Sequence, residues 1–470
     1  MVAPDAPVPS PSSRDAVGPA RWRALTASVA LERGRVTRLR DALRLDGLSA
    51  RDRALALELT LGVERRRVTL DVVLSALAAR GTLPPDPYAR CALRLGAYQV
   101  LYLPRIAPHA AVATAVALLR KQRSFVNAML RRLARLVVDR AADPACARSE
   151  LPLPGTDHVA RALVLPADSL PDPGSQPAQF LGALHGLPTE MVTRWLTHHG
   201  LERTRALVAA SAATPGVTLR VCPVQTNAEV LGQVLAAEGV RVVPLSDPRL
   251  LQLAAIEGES PFTTRAYRDG LFSVQDPTAL AAADAVAVLP GETVLDLCAA
   301  PGGKASALAE ALAGRGAVYA HDADPSRLAQ VRETCTRLHL EATLHVVDEL
   351  ANAPEWCDAV LVDVPCSNTG VLARRVEVRR RALAPALPTL VREQAALLRS
   401  AIARTRPGGR VVYSTCSLEP EENRGVVDAV VGATGGVTVE REQVTWPEAG
   451  QHDGGYFAVL RVGGDDGSRP

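Results

Sequence analysis

Two cysteines follow predicted strands, and both stand beside residues that could take part in chemistry. Cys366 lies in the run Val364-Pro-Cys-Ser-Asn-Thr-Gly370, directly after the predicted strand Asp358–Asp363, and Cys416 ends the next predicted strand. A core thiol belongs inside a strand, whereas the carboxyl ends of parallel strands open onto the crevice where such sheets bind ligands. The common position of the two thiols beside Asp363 therefore favours a functional pair over two unrelated core cysteines.

A glycine-rich turn follows the first strand of the same predicted sheet. Thr293–Leu297 is typical of a buried strand, and a helix is predicted from Ala305. A strand, a glycine-rich turn and a helix present free backbone N–H groups to a polar or anionic ligand. A purely structural turn is the alternative interpretation. The candidate cofactor-binding residues of the turn are Cys298, Ala299, Ala300, Pro301, Gly302, Gly303 and Lys304.

Three aspartates end the following strands. Asp322 comes after Ala317–Ala320, where a carboxylate can accept both hydroxyls of a ribose. Asp348 could meet the adenine end of a cofactor, although an aspartate in such a place is more often a helix cap. Asp363 ends the fourth strand and is also a candidate cofactor residue. The turn lacks G-x-G-x-x-G and contains a proline, so the spacing favours S-adenosylmethionine over a nicotinamide dinucleotide.

The pattern along the chain predicts a multidomain protein. Residues 20–137 are helical almost throughout and include a capping box, Ser49-Ala-Arg-Asp52, which indicates an all-α bundle. From about Thr264, short apolar strands alternate with helices, which predicts a parallel α/β sheet covered on both faces. The predicted ranges are a disordered tail at 1–19, the bundle at 20–137, a proline-rich linker at 138–175, a small α+β subdomain at 176–262 and the α/β domain at 263–465.

The charges divide unevenly between these parts. Arg21 to Arg140 contains 23 basic and 9 acidic residues, a net charge of +14, which leaves 30 basic and 41 acidic residues, or −11, for the rest. Such asymmetry indicates a polyanion as the partner of the basic part. A solvated helical surface is the alternative.

Composition excludes several classes of protein. A chain of 470 residues with 47% hydrophobic and 22% charged residues is not wholly disordered. The sequence contains no run of 18 uncharged apolar residues, and its N-terminus lacks the apolar segment of a secretory signal, so we expect a cytoplasmic protein without a membrane span. None of the eight cysteines forms a C-x-x-C pair, which argues against a zinc knuckle and predicts reduced thiols.

Several motifs together resemble one enzyme family. The cysteine-bearing runs and the glycine-rich turn are similar to motifs of the Sun family of RNA cytosine-5 methyltransferases, and the basic bundle resembles a NusB-type RNA-binding domain. Asn368 departs from that family, where glycine or another small residue is common, and residues 373–380 replace a His-Pro-Asp segment. The runs that carry the resemblance are 295–304, 358–372, 412–423, Gly270–Asp276, Asp453–Phe457, Leu93–Tyr98 and Phe125–Asn127.

The resemblance implies a Rossmann-like class I methyltransferase domain that uses S-adenosyl-L-methionine. It further implies 16S ribosomal RNA as the partner, and a monomer that needs neither metal nor membrane. By the same resemblance Cys416 is the nucleophile that adds to carbon 6 of cytosine, and Cys366 assists loss of the C5 proton and release. Asp363 would hydrogen-bond the cytosine at N3 or its amino group, and Lys304 would support the pyrimidine carbonyl or the cofactor.

Two alternative functions stay open at this point. The same chemistry could act on another RNA such as tRNA. The chain could also be a NusB-like binding or antitermination protein with an inactive methyltransferase domain. Cys366, Cys416, Asp322 and Asp363 are all intact, and this argues against the inactive alternative.

Overall fold

The computed structural model describes residues 18–156, 159–256 and 260–463. The chain divides into two compact units, residues 1–212 with 379–381, and residues 213–378 with 382–470. The predicted tail lies outside the described residues except at its end, where Pro19 begins the first helix. None of the helices in the described ranges is long and apolar enough to cross a membrane.

A helical bundle opens the first unit, as the sequence predicts. Ser49 caps α3 as predicted by accepting the N–H of Asp52, but in place of the reciprocal bond of a capping box its hydroxyl donates to the Asp52 carboxylate at 2.8 Å. Asp86 caps α5 through the N–H of Ala89. Helix α5 is buried on nearly every side and forms the centre of the bundle core. The helices are α1 Pro19–Glu32, α2 Leu39–Ala42, α3 Ala50–Arg65, α4 Arg67–Leu77, α5 Pro87–Tyr102, α6 Pro108–Ala117 and α7 Arg123–Ala134.

The predicted linker at 138–175 is wrong, because this segment contributes to a three-stranded antiparallel sheet. Leu151 pairs with Leu163 across two of the strands, and both side chains are buried in the bundle core. Pro152 and Pro154 lie on β2, which is a strand at the edge of the sheet. Proline has no N–H, and it is tolerated there because the outer side of an edge strand pairs with no other strand. The strands, in the order β1-β3-β2, are β1 Val137–Val138, β2 Glu150–Thr156 and β3 Val159–Val164.

Two further helices also belong to the first unit. These are α8, Pro177–His185, and α9, Thr189–Ala212, which is interrupted at Gly200. The sequence pattern predicts both helices in the α+β subdomain at 176–262, and this prediction is wrong. Leu184 of α8 packs against the bundle core, so burial of apolar surface ties the helix to the first unit.

The second unit begins with a small antiparallel sheet in the order β5-β6-β4-β7. Its last strand extends beyond the predicted subdomain boundary at 262, since Val274 pairs with Leu219 of β4. The sheet and two short helices enclose an apolar core that includes Phe272. The elements are β4 Thr218–Val221, α10 Ala228–Ala237, β5 Val240–Pro244, β6 Leu250–Ile256, α11 Arg265–Arg268 and β7 Phe272–Val274.

A seven-stranded sheet in the order β10-β9-β8-β11-β12-β14-β13 forms the rest of this unit. β8 to β12 are parallel, as predicted, while β14 runs antiparallel to β12 and β13. The strands are β8 Thr293–Asp296, β9 Ala317–Ala320, β10 Leu344–Val346, β11 Cys357–Asp363, β12 Thr405–Thr415, β13 Val437–Thr445 and β14 Gly455–Val462.

Helices cover both faces of this sheet. Val294 and Leu361 face a core shared with α12 to α14, whereas Leu295 and Val360 face a second core shared with α15 and α16. Successive strand residues point to opposite faces, so these strands are apolar throughout. The helices are α12 Pro277–Asp284, α13 Gly303–Leu312, α14 Pro325–Arg337, α15 Leu383–Ala403 and α16 Arg424–Ala433.

One buried arginine joins the small sheet to the helix that follows the glycine-rich turn. Arg220 on β4 donates to the Gly303 carbonyl at 2.8 Å and pairs with Glu310 of α13 at 2.7 Å. It also donates to Ser306 Oγ at 3.0 Å and to the side-chain oxygen of Gln275. A guanidinium with this many partners fixes the first turn of α13 against β4.

We predict that Arg220→Ala lowers the free energy of unfolding by about 3–5 kcal/mol, because it leaves the Glu310 carboxyl buried without its cation. The double change Arg220→Met/Glu310→Met should recover most of this loss. Urea unfolding measures both. Arg249→Ala, which removes exposed pairs with Asp247 and Asp284, serves as the control and should cost less than about 1 kcal/mol. An Arg220 effect as small as the control would contradict this account.

Candidate active site

The glycine-rich turn lies between the end of β8 and the start of α13. The N–H of Ala299 donates to the His321 carbonyl at 2.8 Å, which ties the turn to the end of β9. Gly302 has a φ of 104°, and a Cβ there would lie 3.3 Å from the Cα of Val331. Only glycine allows the chain to pass this close to α14 as it turns into α13.

Asp296, the last residue of β8, is a site residue that the sequence analysis did not single out. Both of its carboxylate oxygens are buried and have no hydrogen-bond partner in the described structure. Burial, together with the nearby charge of Asp363, raises the pKa of Asp296 to about 7. Its position at the end of the strand before the glycine-rich turn was the available signal.

The unpartnered carboxyl faces a cavity formed by the turn. Because a buried acceptor without a donor is costly, it indicates that a ligand donates to it there. The cavity contains six of the seven turn residues proposed from the sequence, Lys304 among them, together with Asp363. Its lining consists of Val274, Gln275, Asp276, Ala279, Asp296, Cys298, Ala299, Ala300, Pro301, Gly303, Lys304 and Asp363.

Asp322 and Asp348 lie in different surroundings. Asp322 is buried beside the turn, where it accepts from the Ala300 N–H at 3.2 Å and from Arg327 at 3.2 Å. Asp348 lies at the surface and pairs with Arg332 at 2.6 Å. The structure therefore brings Asp322, and not Asp348, against the glycine-rich turn.

Lys304 and Asp363 form an ion pair next to the same cavity. The Lys304 ammonium lies 2.6 Å from Asp363 Oδ2, and Ser414 Oγ donates to Asp363 Oδ1 at 2.7 Å. Burial alone lowers the pKa of Lys304, but the charge and hydrogen bond of Asp363 outweigh it, so the pKa is raised. Lys304 is therefore held in its charged form, and the two hydrogen bonds to Asp363 fix the orientation of the pair.

The two predicted cysteines meet at the ends of β11 and β12. Their sulfur atoms are 3.3 Å apart, within hydrogen-bonding distance. The hydrogen bond with Cys416, burial, and the charges of Cys416 and Glu422 together raise the pKa of Cys366 well above its ordinary value. Cys366 is buried, whereas Cys416 is partly exposed.

Asn368 is a second contact of the nucleophile candidate. Its side-chain nitrogen donates to the Cys366 carbonyl at 2.6 Å, and its side-chain oxygen accepts from the Cys416 thiol at 3.4 Å. The residue has a φ of 65°, a left-handed conformation that asparagine tolerates. Asn368, in place of the small residue that is common at this position in the Sun family, therefore adds a polar contact to the thiol pair.

A second cavity adjoins the first and contains Cys416. The two share Asp276, Ala279, Lys304 and Asp363, so the ion pair lies where the turn-lined cavity meets the cavity that contains Cys416. The second cavity is lined by Asp276, Thr278, Ala279, Ala282, Lys304, Asp363, Val371, Ser414, Thr415, Cys416, Thr445, Asp453, Gly454, Gly455, Tyr456 and Phe457.

Arg374 joins two carboxylates in the wall of this second cavity. It lies 2.5 Å from Asp453 and 2.9 Å from Asp276. Burial and the charge of Asp276 raise the pKa of Asp453. Arg374 belongs to the segment 373–380, which differs from the Sun family pattern. Through its two ion pairs it connects this segment to Asp276 and to Asp453 at the cavity.

Comparison with known proteins places this arrangement in one family. The profile described as 16S rRNA methyltransferase RsmB/F matches residues 283–461, and that of the NusB family matches residues 20–135. A ribosomal RNA small subunit methyltransferase B from Pseudomonas putida is 30% identical over 441 residues, covering 89% of this chain and 92% of that protein. The chain belongs to the RsmB/F methyltransferase family.

Other members and a solved structure agree with this assignment. A probable ribosomal RNA small subunit methyltransferase B from Synechocystis is 31% identical, with 82% of each chain covered. The crystal structure of PH0851 superposes with a TM-score of 0.72 at 21% identity, covering 94% of this chain and 99% of that one. The predicted NusB-like bundle and Rossmann-like methyltransferase domain are thus confirmed.

The burial difference predicts different reactivities for the two thiols of this RsmB/F family member. We expect iodoacetamide at pH 8 to alkylate Cys416 at least tenfold faster than Cys366, since a buried thiol of raised pKa is a poor nucleophile. Peptide mass spectrometry gives both rates. The exposed Cys146 and the buried Cys335 are the internal references. Faster alkylation of Cys366 than of Cys416 would contradict the geometry.

Proposed function

We propose that this enzyme transfers a methyl group from S-adenosylmethionine to carbon 5 of a cytosine in 16S rRNA, through a covalent bond between Cys416 and carbon 6. The observation that carries the proposal is the thiol pair, with sulfur atoms 3.3 Å apart, of which Cys416 lines a cavity that adjoins the one formed by the glycine-rich turn. Two thiols, a carboxylate and an ammonium at this junction match the groups that the reaction needs.

The proposed steps follow from the low nucleophilicity of carbon 5. The thiolate of Cys416 adds to carbon 6 and places an electron pair on carbon 5. When bound, the cofactor supplies an electrophilic methyl group on a positively charged sulfur. Carbon 5 takes this methyl group, loses its proton, and the bond from carbon 6 to Cys416 breaks to restore the aromatic ring.

Cys366 can donate one proton and accept another in the last step. Because its pKa is raised, it is a thiol at neutral pH and can give its proton to the departing sulfur of Cys416, 3.3 Å away. The thiolate thus formed on Cys366 takes the C5 proton in the same elimination, which leaves both cysteines as thiols. Cys416 then loses its proton to solvent before the next addition. The sulfur atoms must lie this close for the exchange to occur without an intervening group.

Lys304 and Asp363 stabilise charge during the addition. Their ion pair lines the cavity that holds Cys416, so a cytosine there would meet a carboxylate that accepts from its amino group and an ammonium that donates to its carbonyl. Since Ser414 holds the other carboxylate oxygen, the pair is oriented before the base arrives.

The turn-lined cavity fits the proposed cofactor. The unpartnered carboxylate of Asp296 can accept from the ammonium of the methionine part, and backbone N–H groups of the turn can bind its carboxylate. Asp322 is the proposed ribose ligand, and its contact with Ala300 connects it to the turn. Asp348 is exposed, so a contact with the adenine end would require it to leave Arg332.

The basic bundle is the proposed RNA-binding part. Lys121, Arg123, Arg131 and Arg135 are exposed on α7 and at the residues that flank it. Arginine and lysine side chains bind phosphates without reading sequence, so we expect RNA affinity to fall steeply with salt. The target cytosine must then leave its stack to reach Cys416.

We predict a different outcome for the removal of each thiol. Cys366→Ala should accumulate a covalent complex with 16S rRNA, seen as a slow band on a denaturing gel, because addition is intact and release is slow. Cys416→Ala should give no band and no methyl transfer. The double variant should also give none, and Cys146→Ala should behave as the unmodified enzyme.

The opposite pattern would overturn this assignment. A band from Cys416→Ala and none from Cys366→Ala would make Cys366 the nucleophile. Parallel reactions on tRNA separate the two substrate classes, since we expect methyl transfer to 16S rRNA alone. Absence of methyl transfer to either RNA by the unmodified enzyme would reject the proposed reaction.

Cofactor affinity should depend on the ionisation of Asp296. With its pKa at about 7, the carboxyl is mostly protonated at pH 6 and mostly ionised at pH 7.5, and only the ionised form attracts an ammonium. We therefore predict that S-adenosylmethionine binds several-fold more tightly at pH 7.5 than at pH 6, by calorimetry. Asp296→Asn should bind weakly at both pH values, while the surface change Asp284→Asn should keep the dependence. A pH dependence retained in Asp296→Asn would exclude this role.

A further inference from the structure

A fully buried carboxylate lies between the loops that carry the two cysteines. Glu422 is in the segment between β12 and α16, and its side chain is 0% exposed. In the mechanism proposed above it contributes only its charge, which helps to raise the pKa of Cys366. A buried carboxylate needs donors for both oxygens, so the source of its hydrogen bonds shows what it holds together.

Its donors come from both cysteine loops. Ser367, the neighbour of Cys366, donates through its backbone N–H at 2.8 Å and also through its hydroxyl. Ser417, the neighbour of Cys416, donates through its hydroxyl to the same oxygen as the Ser367 hydroxyl. One carboxylate therefore bridges the residues that directly follow the two thiols.

A third donor comes from the helix behind the site. Gln394 on α15 donates to Glu422 at 2.9 Å and to the carbonyl of Pro365 at 2.9 Å, so it also fixes the residue before Cys366. The segment around Glu422 is itself attached to β12, because the Tyr413 hydroxyl donates to the Glu422 carbonyl at 2.6 Å. The bridge is thus anchored to the sheet.

We propose that Glu422 is a positioning residue, whose hydrogen bonds hold Cys366 and Cys416 at the separation that their exchange of a proton requires. This inference rests on the proposed two-thiol reaction. Glu422 touches neither sulfur and acts through Ser367 and Ser417. The donors are amide and hydroxyl groups, so the bridge depends on hydrogen-bond connectivity and not on pairing with a cation.

This distinction makes two substitutions informative. In Glu422→Gln, the side-chain oxygen can still accept from the fixed N–H donors of Ser367 and Gln394. Its amide nitrogen then replaces the other carboxylate oxygen and donates to the two serine hydroxyls, which rotate to accept. Glu422→Met has a similar size and the same loss of charge but makes none of these bonds. A difference between the two variants therefore reports the hydrogen bonds.

Disulfide trapping measures the geometry without any turnover. The oxidant diamide, a diazene, takes two electrons and two protons from a pair of close thiols and leaves a disulfide. Its rate of linking Cys366 to Cys416, followed by peptide mass spectrometry, reports how often the sulfurs meet. Glu393→Gln, an exposed change of the same charge on α15, is the matched control.

We expect Glu422→Met to slow both the trapping and the methyl transfer about tenfold or more, since misplacement by ~1 Å can cost 100-fold. Glu422→Gln should keep at least a third of each rate, Glu393→Gln should keep the full rates, and all three should bind S-adenosylmethionine normally. Equal rates for the Met and Gln variants would overturn the proposal, and so would unchanged trapping in Glu422→Met.

A milder variant covers the case in which Glu422→Met does not fold. Ser367→Ala removes one hydroxyl donor and leaves the backbone N–H, and it should slow trapping about threefold. Full trapping in this variant would then reject the bridge. Failure of the two-thiol reaction itself would appear differently, as absent methyl transfer in the unmodified enzyme together with trapping that still depends on Glu422.

Discussion

The pairing of β11 with β12 is the constraint on which the candidate site depends. Asp363 lies opposite Ser414 in the last paired position of these strands, so the two loops that follow begin side by side. Neighbouring parallel strands lie about 4.8 Å apart, which is close enough for thiols on the two loops to meet. The same pairing sets the hydrogen bond from Ser414 to Asp363, and hence the orientation of the Lys304 ion pair.

Close packing beyond the strand ends preserves this arrangement. Gly370 donates its N–H to the Cys416 carbonyl at 2.9 Å, and Gly454 donates to the Gly370 carbonyl at 2.9 Å. A Cβ on Gly370 would overlap both Gly454 and the Cys416 carbonyl, so this position has no room for a side chain. The motif near the C-terminus therefore contributes to the site by holding the loop of Cys366 against the loop of Cys416.

The choice of lysine at position 304 has a physical reason in the same geometry. Only two of the 53 basic residues are lysines, so arginine is the ordinary choice in this chain. The compact ammonium of Lys304 pairs with Asp363 in the wall that the two cavities share. A planar guanidinium would present its donors over a wider area. The exception in composition thus coincides with the junction of the two cavities.

Much of the site could be predicted from the sequence because strand ends are marked by local patterns. The short apolar runs, the glycine-rich turn and the cysteines after two strands predicted a crevice that contains Lys304, Asp363, Cys366 and Cys416. Long-range pairing has no such local signal. The prolines of 138–175 favoured a linker because the sequence does not show that Pro152 and Pro154 lie on an edge strand.

The lack of a local signal also explains why the sequence does not predict the roles of Asp296 and Glu422. Asp296 has an apolar neighbourhood in sequence, and its unpartnered carboxyl becomes evident only when the turn folds over it. Glu422 lies in an acidic run whose charges favour exposure, and only the tertiary structure brings Ser367 and Ser417 to its oxygens. Asp348 followed the strand-end rule equally well, yet it lies at the surface with Arg332.

The most direct test of the account follows the hydrogen on carbon 5. 16S rRNA made with cytidine that carries tritium at this position is incubated with the enzyme and S-adenosylmethionine bearing a carbon-14 methyl group. Methylation at carbon 5 must displace that hydrogen, so we expect one tritium to enter water for each methyl group transferred. Methyl transfer with the tritium retained in the RNA would contradict reaction at carbon 5, and with it the proposed work of Cys366 and Cys416.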